Sequence, residues 1–379
     1  MKTFDVIIAG GGIIGLSTAF QIARRSSLNV AVLEKGAGVG EGSTGASSAI
    51  CRHRYSSDAM VTLARDGINA YRHWAQFTGL DDPAAQFHPE GILWMPGADR
   101  EWADREQPRL AGLGVESLVL DNEALVERFP AINPNAMVFD RETGEIHDQP
   151  GDGRHLFETQ AGYMEPVNAA QDLVHACRAA GVDVRFKTTV DRVLTAGSAV
   201  AGVRLADGTR LASPLVINAT GPWCHRLYEA AGVPLDWDLA PVRIQVLHRD
   251  RPADVTGHIP VVADIEGGIY FRTQNRGQQI VVGSVLEEDE RERVADPDNY
   301  QTLHDDDFQH EKLHLLHHRI PSLPNYGTVR GYCGLYTTNM DDMHPILGPT
   351  QLDGFWAANG FSGHGFKLAP AIGAMLARA

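Results

Sequence analysis

The chain begins "MKTFDVIIAGGGIIGLSTAFQIARR", and this stretch restricts its architecture more than any other. "FDVIIAG" is a short apolar run suited to a parallel strand buried on both faces. Gly10, Gly12 and Gly15 follow in G-x-G-x-x-G spacing, and a helical segment runs on from Ile13 and Ile14. Gly10 permits the turn, Gly12 lets backbone approach a pyrophosphate, and Gly15 allows close helix–strand packing. The helix then directs free N–H groups at the phosphates. A second strand, "NVAVLE", ends in Glu34, about 20 residues on, where a carboxylate accepts both hydroxyls of an adenosine ribose. That carboxylate disfavours a 2′-phosphate. The unit is predicted to be Rossmann-like, of α/β class, and to bind a dinucleotide without that phosphate.

The same stretch resembles a signal peptide or membrane span, with 18 uncharged residues from Val6 to Ala23. Asp5 and the glycines inside the run oppose both, so no membrane span is expected. With 33 basic against 48 acidic residues, the net charge of −15 argues against a nucleic-acid partner. Cys51, Cys177, Cys224 and Cys333 are far apart and form no C-x-x-C pair. They are expected to be reduced thiols of a cytoplasmic protein, with no disulfide frame or zinc site.

A length of 379 residues suggests two domains. After Glu34 comes the loop "KGAGVGEGSTGASSAICRHRY", which holds Ser43, Thr44, Ser47 and Ser48 and almost no core residues. Either a rigid ligand organises it or it is a flexible surface loop. "GYMEPVNAAQDLVHACRAAGVDVRFKTTVDRVL" reads as a helix with Leu173, Val174 and Cys177 on its apolar face, ending at Gly181, then a strand pair reaching Val190. "SPLVINATGPW" is another buried strand, leading to Ala219, Thr220, Gly221 and Trp223, a second place of close backbone approach. With the strand "GFWAANG" and a last helix, these units imply a discontinuous cofactor domain of residues 1–85, 150–225 and 327–379. Residues 86–149 and 226–326 would form a second, α+β domain on a mixed or antiparallel sheet. There "GGIYFRTQNRGQQIVVGS" reads as a hairpin with Tyr270, Arg272 and Gln274 on one face and its turn around Asn275–Gly277. His310, His314 and His317 share a helical face in "DDDFQHEKLHLLHHRI", but no further ligand motif accompanies them. No metal is expected.

Taken in order, "FDVIIAGGGIIG" with Glu34, "GSTGASSAICRHRY", "GYMEPVNA", "VINATGPW", "GLYTTNMDDMHPILGP" and "GFSGHGFKLAP" resemble the D-amino-acid-oxidase superfamily of FAD enzymes. Within it the chain is similar to sarcosine oxidases and to dimethylglycine and sarcosine dehydrogenases. The resemblance spans nearly the whole chain and implies a glutathione-reductase-type FAD-binding domain. It implies FAD contacts along the segments above and adds Lys35, Gly334 and the closing stretch Gly360, Ser362, Gly363, His364, Gly365, Phe366 and Lys367. That stretch would lie at the flavin ring, where backbone N–H groups and the positive helix end stabilise the charge gained on reduction. His364 either adds a donor there or only bonds within its loop.

The resemblance further implies that Arg52 and Lys367 clamp a substrate carboxylate, a suitable pairing of guanidinium and ammonium. Arg54 has no counterpart, and a solvated arginine is the common outcome. Tyr270 would line the substrate pocket; its alternative is a core aromatic. Two departures stand out. Val281 occupies the position where monomeric sarcosine oxidases place an oxygen-activating lysine. Gly334 falls where those enzymes attach FAD through a cysteine, with Cys333 one place off, so FAD is expected to be noncovalent. The implied reaction is hydride transfer to flavin N5 from a sarcosine-like secondary amine or an N-substituted or cyclic amino acid. The imine then hydrolyses. No dedicated acid–base side chain is required, and O2 or another acceptor reoxidises the flavin; Val281 favours another acceptor. A primary amino acid remains an alternative substrate. So does a non-catalytic or electron-transferring subunit or assembly factor, and a homo- or hetero-oligomer is open.

Overall fold

The computed structural model describes residues 2–97, 99–139, 146–149 and 153–379. A six-stranded sheet runs in the order Asp183–Arg185, Val30–Leu33, Val6–Ala9, Leu215–Asn218, Phe355–Asn359, Ile346–Pro349. Its first five strands are parallel and the last is antiparallel. The apolar run of the first strand serves two cores. Val6 and Ile8 pack toward the helices, while Ile7 and Ala9 pack on the opposite side. Covering both faces is what a parallel sheet needs, because its crossover segments lie there.

Helices Ile13–Ala23, Asp58–Arg72, Pro166–Ala179 and Gly365–Leu376 form the helical layer. Beyond the other face lies a four-stranded sheet, ordered Lys2–Thr3, Arg210–Ala212, Ala199–Leu205, Val190–Ala196. The strand pair expected after Gly181 is not a pair. Asp183–Arg185 joins Val30–Leu33 in the parallel sheet, and Val190–Ala196 pairs with Ala199–Leu205. Alternation within a strand marks its faces, not its partner.

The second layer system is an eight-stranded, mainly antiparallel sheet. Its order is Val329–Asn339, Leu239–Asp250, Gln279–Ser284, Ile269–Gln274, Val261–Asp264, Ile92–Met95, Arg154–Glu158, Ser117–Asp121. Ile269, Phe271, Ile280 and Val282 pack beneath helix Asp306–Arg319. Tyr270 and Arg272 therefore face the other way, as the alternation predicts. Arg154–Glu158 and Val329–Asn339 fall inside the segments 150–225 and 327–379 but pair into this sheet. The boundary at residue 150 lies outside the described residues.

Candidate active site

The carboxyl ends of the parallel strands open onto a cavity of about 810 Å³. Gly10 turns the chain at φ +107°, and a Cβ there would stand 2.3 Å from the Ala219 carbonyl oxygen. A Cβ on Gly15 would stand 2.0 Å from the Gly10 carbonyl oxygen, so Gly15 does not line the cavity; it seats the helix. Gly12, Ile13 and Ile14 do line it. No side chain caps the helix at Gly12, and the Ile13 N–H donates to Thr44 Oγ1 at 3.1 Å. Glu34 accepts from the N–H groups of Gly11 and Gly36, each at 2.7 Å. Those two bonds hold its carboxylate at the cavity wall with acceptor capacity left over.

The loop after Glu34 forms a further wall. Ser43 donates to the Leu335 carbonyl at 2.5 Å, and Ser47 Oγ accepts from Ala49. Lys35 lies 3.7 Å above the Trp223 ring and pairs with Asp298 at 2.6 Å. Val190, Ala219, Thr220 and Gly221 also line the cavity. Gly334 also lines the cavity, and a Cβ on it would meet Ala46 at 2.5 Å. From the last loop come Gly360, Ser362, Gly363, Gly365 and Phe366. Ser48 departs from expectation, because it lines a narrow cleft with Tyr270 and Tyr336 rather than the main cavity. His364 and Lys367 are likewise absent from the wall. The helix N-terminus at the cavity, the glycines that leave no room for a side chain, and the fixed Glu34 carboxylate suit a dinucleotide such as FAD.

His364 and Lys367 instead join Arg52. The Arg52 guanidinium lies 4.2 Å from the Tyr55 ring centre, donates to the Arg54 carbonyl, and reaches His364 Nδ1 at 3.4 Å. Burial, then the charges of Lys367 and Arg52, hold the His364 pKa well below the ordinary imidazole value. The ring is neutral, so Nδ1 can accept. Lys367 is only 5% exposed. Burial, then Arg52, lowers its pKa to about 7. Neither cation has an ion-paired carboxylate among the described residues. Tyr270, from strand Ile269–Gln274, has its phenol pushed up to about 12 by burial. Its ring occupies the space that Gly283, its cross-strand partner, leaves open.

Other residues behave differently from their sequence reading. Arg54 is not solvated: it pairs with Glu106 at 3.3 Å and lies 5.1 Å over Trp102. Val281 is buried, and its cross-strand partner on strand Ile269–Gln274 is Arg272. Arg272 donates to the Ser48 and Thr273 carbonyls and lies 4.1 Å over Tyr163. A buried cation thus stands beside position 281, and a one-position reading missed it. Sequence reasoning gave no pocket role to Tyr55 or Tyr336, although both lie within the quoted motifs "GSTGASSAICRHRY" and "GLYTTNMDDMHPILGP". The Tyr55 hydroxyl is buried without a hydrogen-bond partner among the described residues. Cys333 lines the cavity, its thiol donates to the Leu303 carbonyl at 3.2 Å, and burial raises its pKa.

His317 bonds Arg249 at 2.8 Å, and among the described residues no group of three His, Cys, Asp or Glu is placed to hold a metal ion. None of the described helices is long and apolar enough to cross a membrane.

The family model "DAO: FAD dependent oxidoreductase" matches residues 5–379. FAD-dependent oxidoreductase domain-containing protein 1 of Xenopus laevis is 26% identical over 406 residues, covering 98% of this chain and 78% of its own. The sarcosine oxidase subunit beta of Rhodobacter capsulatus is 24% identical over 379 residues, covering 99% of this chain and 84% of its own. Among solved structures, L-proline dehydrogenase from P. horikoshii has the same fold, with a TM-score of 0.84 and 23% identity. The match covers 100% of this chain and 93% of that one.

Proposed function

The chain belongs to the DAO family of FAD-dependent oxidoreductases, and from that premise we propose that it oxidises the C–N bond of a secondary amine or an N-substituted or cyclic amino acid. One observation carries the substrate class. Arg52 and the nearly buried Lys367 stand together with no ion-paired carboxylate among the described residues. Such a pair is completed by an anion, and an amino-acid carboxylate supplies it with matching geometry.

FAD, when bound, supplies the acceptor for the two electrons that leave the substrate. The protein's part is to position and to set charge. Arg52 and Lys367 orient the substrate through its carboxylate, and neutral His364 holds the Arg52 fork in place. Tyr55, Tyr270 and Tyr336 surround the site with desolvating surface, which lowers an ammonium pKa and favours the reactive neutral amine. FAD is held noncovalently in this reading, since the buried Cys333 thiol is a weak nucleophile. Valine at 281 supplies no charge, which favours an acceptor other than O2, while the buried Arg272 guanidinium across from it acts in the opposite sense. The likeness to a protein named as a subunit supports a second reading, an electron-transferring component of a larger assembly.

The test is anaerobic. A panel of N-methyl, cyclic and primary amino acids is added to the yellow protein, and the flavin absorbance is followed. Bleaching by the first two groups is expected. Bleaching by none favours the subunit reading. On re-admission of air, slow recovery of colour is expected, and fast recovery overturns the weight given to Val281. Acid precipitation should leave the chromophore in the supernatant.

A further inference from the structure

We propose that Glu158 is a positioning residue for the substrate carboxylate. It holds the Arg52 guanidinium in place through the Arg54 backbone and the Trp94 ring, without touching substrate itself. The inference rests on the carboxylate clamp proposed above. Arg52, His53, Arg54 and Tyr55 follow strand Ile50–Cys51 and belong to no helix or strand. No ladder of backbone bonds therefore fixes the segment that presents Arg52. Glu158 does so instead. It ends strand Arg154–Glu158, where its backbone pairs with Ile92 on one side and Ser117 on the other. Its side chain is fully buried.

Four donors converge on this carboxylate. Oε2 accepts from the His53 N–H at 2.7 Å and from His53 Nδ1 at 2.8 Å. Oε1 accepts from the Arg54 N–H at 3.1 Å and from Trp94 Nε1 at 2.8 Å. A carboxylate has about four acceptor sites, so all of them are taken. Burial opposes ionisation, yet the His53 and Trp94 bonds keep the Glu158 pKa below the ordinary carboxylate value. Turning toward Arg52 would strip buried N–H groups of their acceptor, a costly exchange. Glu158 is thus an acid near the clamp that does not compete with substrate for it.

Its bonds reach Arg52 by two routes. Arg54, whose N–H is fixed by Glu158, offers its carbonyl to the Arg52 guanidinium. Trp94, whose indole is fixed by Glu158, has its ring centre 5.6 Å from the same guanidinium and 5.8 Å from that of Arg54. Tyr55 and the neutral His364 complete the surroundings of the Arg52 fork. Loss of the carboxylate would free the Arg54 backbone and the Trp94 ring together. The guanidinium would then no longer be held for parallel bonds to an anion. Misplacement by about 1 Å can cost about 100-fold in a reaction that depends on positioning.

A double-mutant cycle separates positioning from mere support of the fold. 3,3-Dimethylbutyrate and its uncharged isostere 3,3-dimethylbutyramide are titrated into the FAD-loaded protein, and binding is read from flavin absorbance and calorimetry. The wild type should prefer the carboxylate by roughly tenfold or more. Glu158→Gln keeps the shape but sets an amide NH2 against N–H donors. It should reduce that preference by about tenfold and change FAD affinity by less than about threefold. Glu158→Asp, which keeps the charge with a shorter reach, should fall between Gln and wild type. In the Arg52→Ala background, Glu158→Gln should change the preference by less than about twofold, because its effect runs through Arg52. Trp94→Phe removes one donor and keeps a ring beside Arg52. It should cost about threefold, again only where Arg52 is present, and it decides the question if Glu158→Gln does not yield FAD-loaded protein. A preference unchanged by these substitutions, or lost equally with and without Arg52, overturns the role of Glu158 and leaves the clamp standing. A wild type without preference for the carboxylate overturns the clamp, and this inference with it.

Discussion

At Lys367, burial and a neighbouring guanidinium make an ammonium that gives up its proton near pH 7. The sign of its effect follows. The unfolded lysine keeps its proton up to about pH 10.4, so between 7 and that value the unfolded chain binds more protons. Stability of the protein without substrate therefore rises with pH across this window, while affinity for a plain carboxylate falls. Binding of 3,3-dimethylbutyrate should weaken by up to tenfold per unit above pH 7, as calorimetry can show. Lys367→Met should remove that dependence, weaken carboxylate binding by roughly 10- to 100-fold and stabilise the chain by about 1–3 kcal/mol in denaturant unfolding. Arg52→Ala should weaken the same ligands with little effect on FAD. Arg52 and Lys367 were both legible in the sequence through motif resemblance. The depressed lysine pKa was not, because burial is a property of the assembled site.

The closing helix Gly365–Leu376 shows how an element carries the site. Helix Asp58–Arg72 approaches it so closely that a Cβ on Gly67 would stand 2.2 Å from the Lys367 carbonyl oxygen. Tyr71 of the same helix donates to the Phe366 carbonyl at 2.6 Å and stacks on the Phe366 ring at 5.1 Å. On the other side, a Cβ on Gly373 would stand 2.6 Å from the Ser17 carbonyl oxygen of helix Ile13–Ala23. Gly67→Ala should therefore displace the turn that bears Lys367. It should cost about 1–3 kcal/mol of stability and weaken carboxylate binding out of proportion to FAD binding. Tyr71→Phe removes one buried hydrogen bond and should cost about 1 kcal/mol, with the carboxylate affinity kept. "GFSGHGFKLAP" announced a loop entering a helix. The glycine that lets this helix settle lies some 300 residues away and carries no local signal.

Across the whole molecule, Asp298 closes a seam that joins distant segments over the cavity. It pairs with Lys35 at 2.6 Å and Arg226 at 2.5 Å, and accepts from Trp223 Nε1 at 2.9 Å. Partial burial opposes ionisation, yet these three donors hold its pKa down to about 2. The charged partners are substantially exposed, so the ion pairs are screened and worth little individually. Asp298→Asn should speed FAD release by a modest factor, about fivefold, with the difference fading at high salt. Stopped-flow transfer of FAD to an apo-flavoprotein trap measures it. Pro297 and Asp298, from the segment 226–326, also line the cavity. Strand Val329–Asn339 pairs along its whole length with Leu239–Asp250, and such pairing depends on a partner that no local pattern names.

The amino-acid sequence by itself determined the glycine turn with its buried parallel strand, the acid at the end of the second strand, and the family motifs that name FAD. These rest on short-range constraints, where backbone freedom, spacing and alternation act within a few residues. Only the tertiary structure decided that Arg272 stands across from Val281, that Arg54 is paired, and that Lys367 is buried. Burial and charge depend on neighbours folded in from far along the chain, and these set how a side chain ionises and what it can hold.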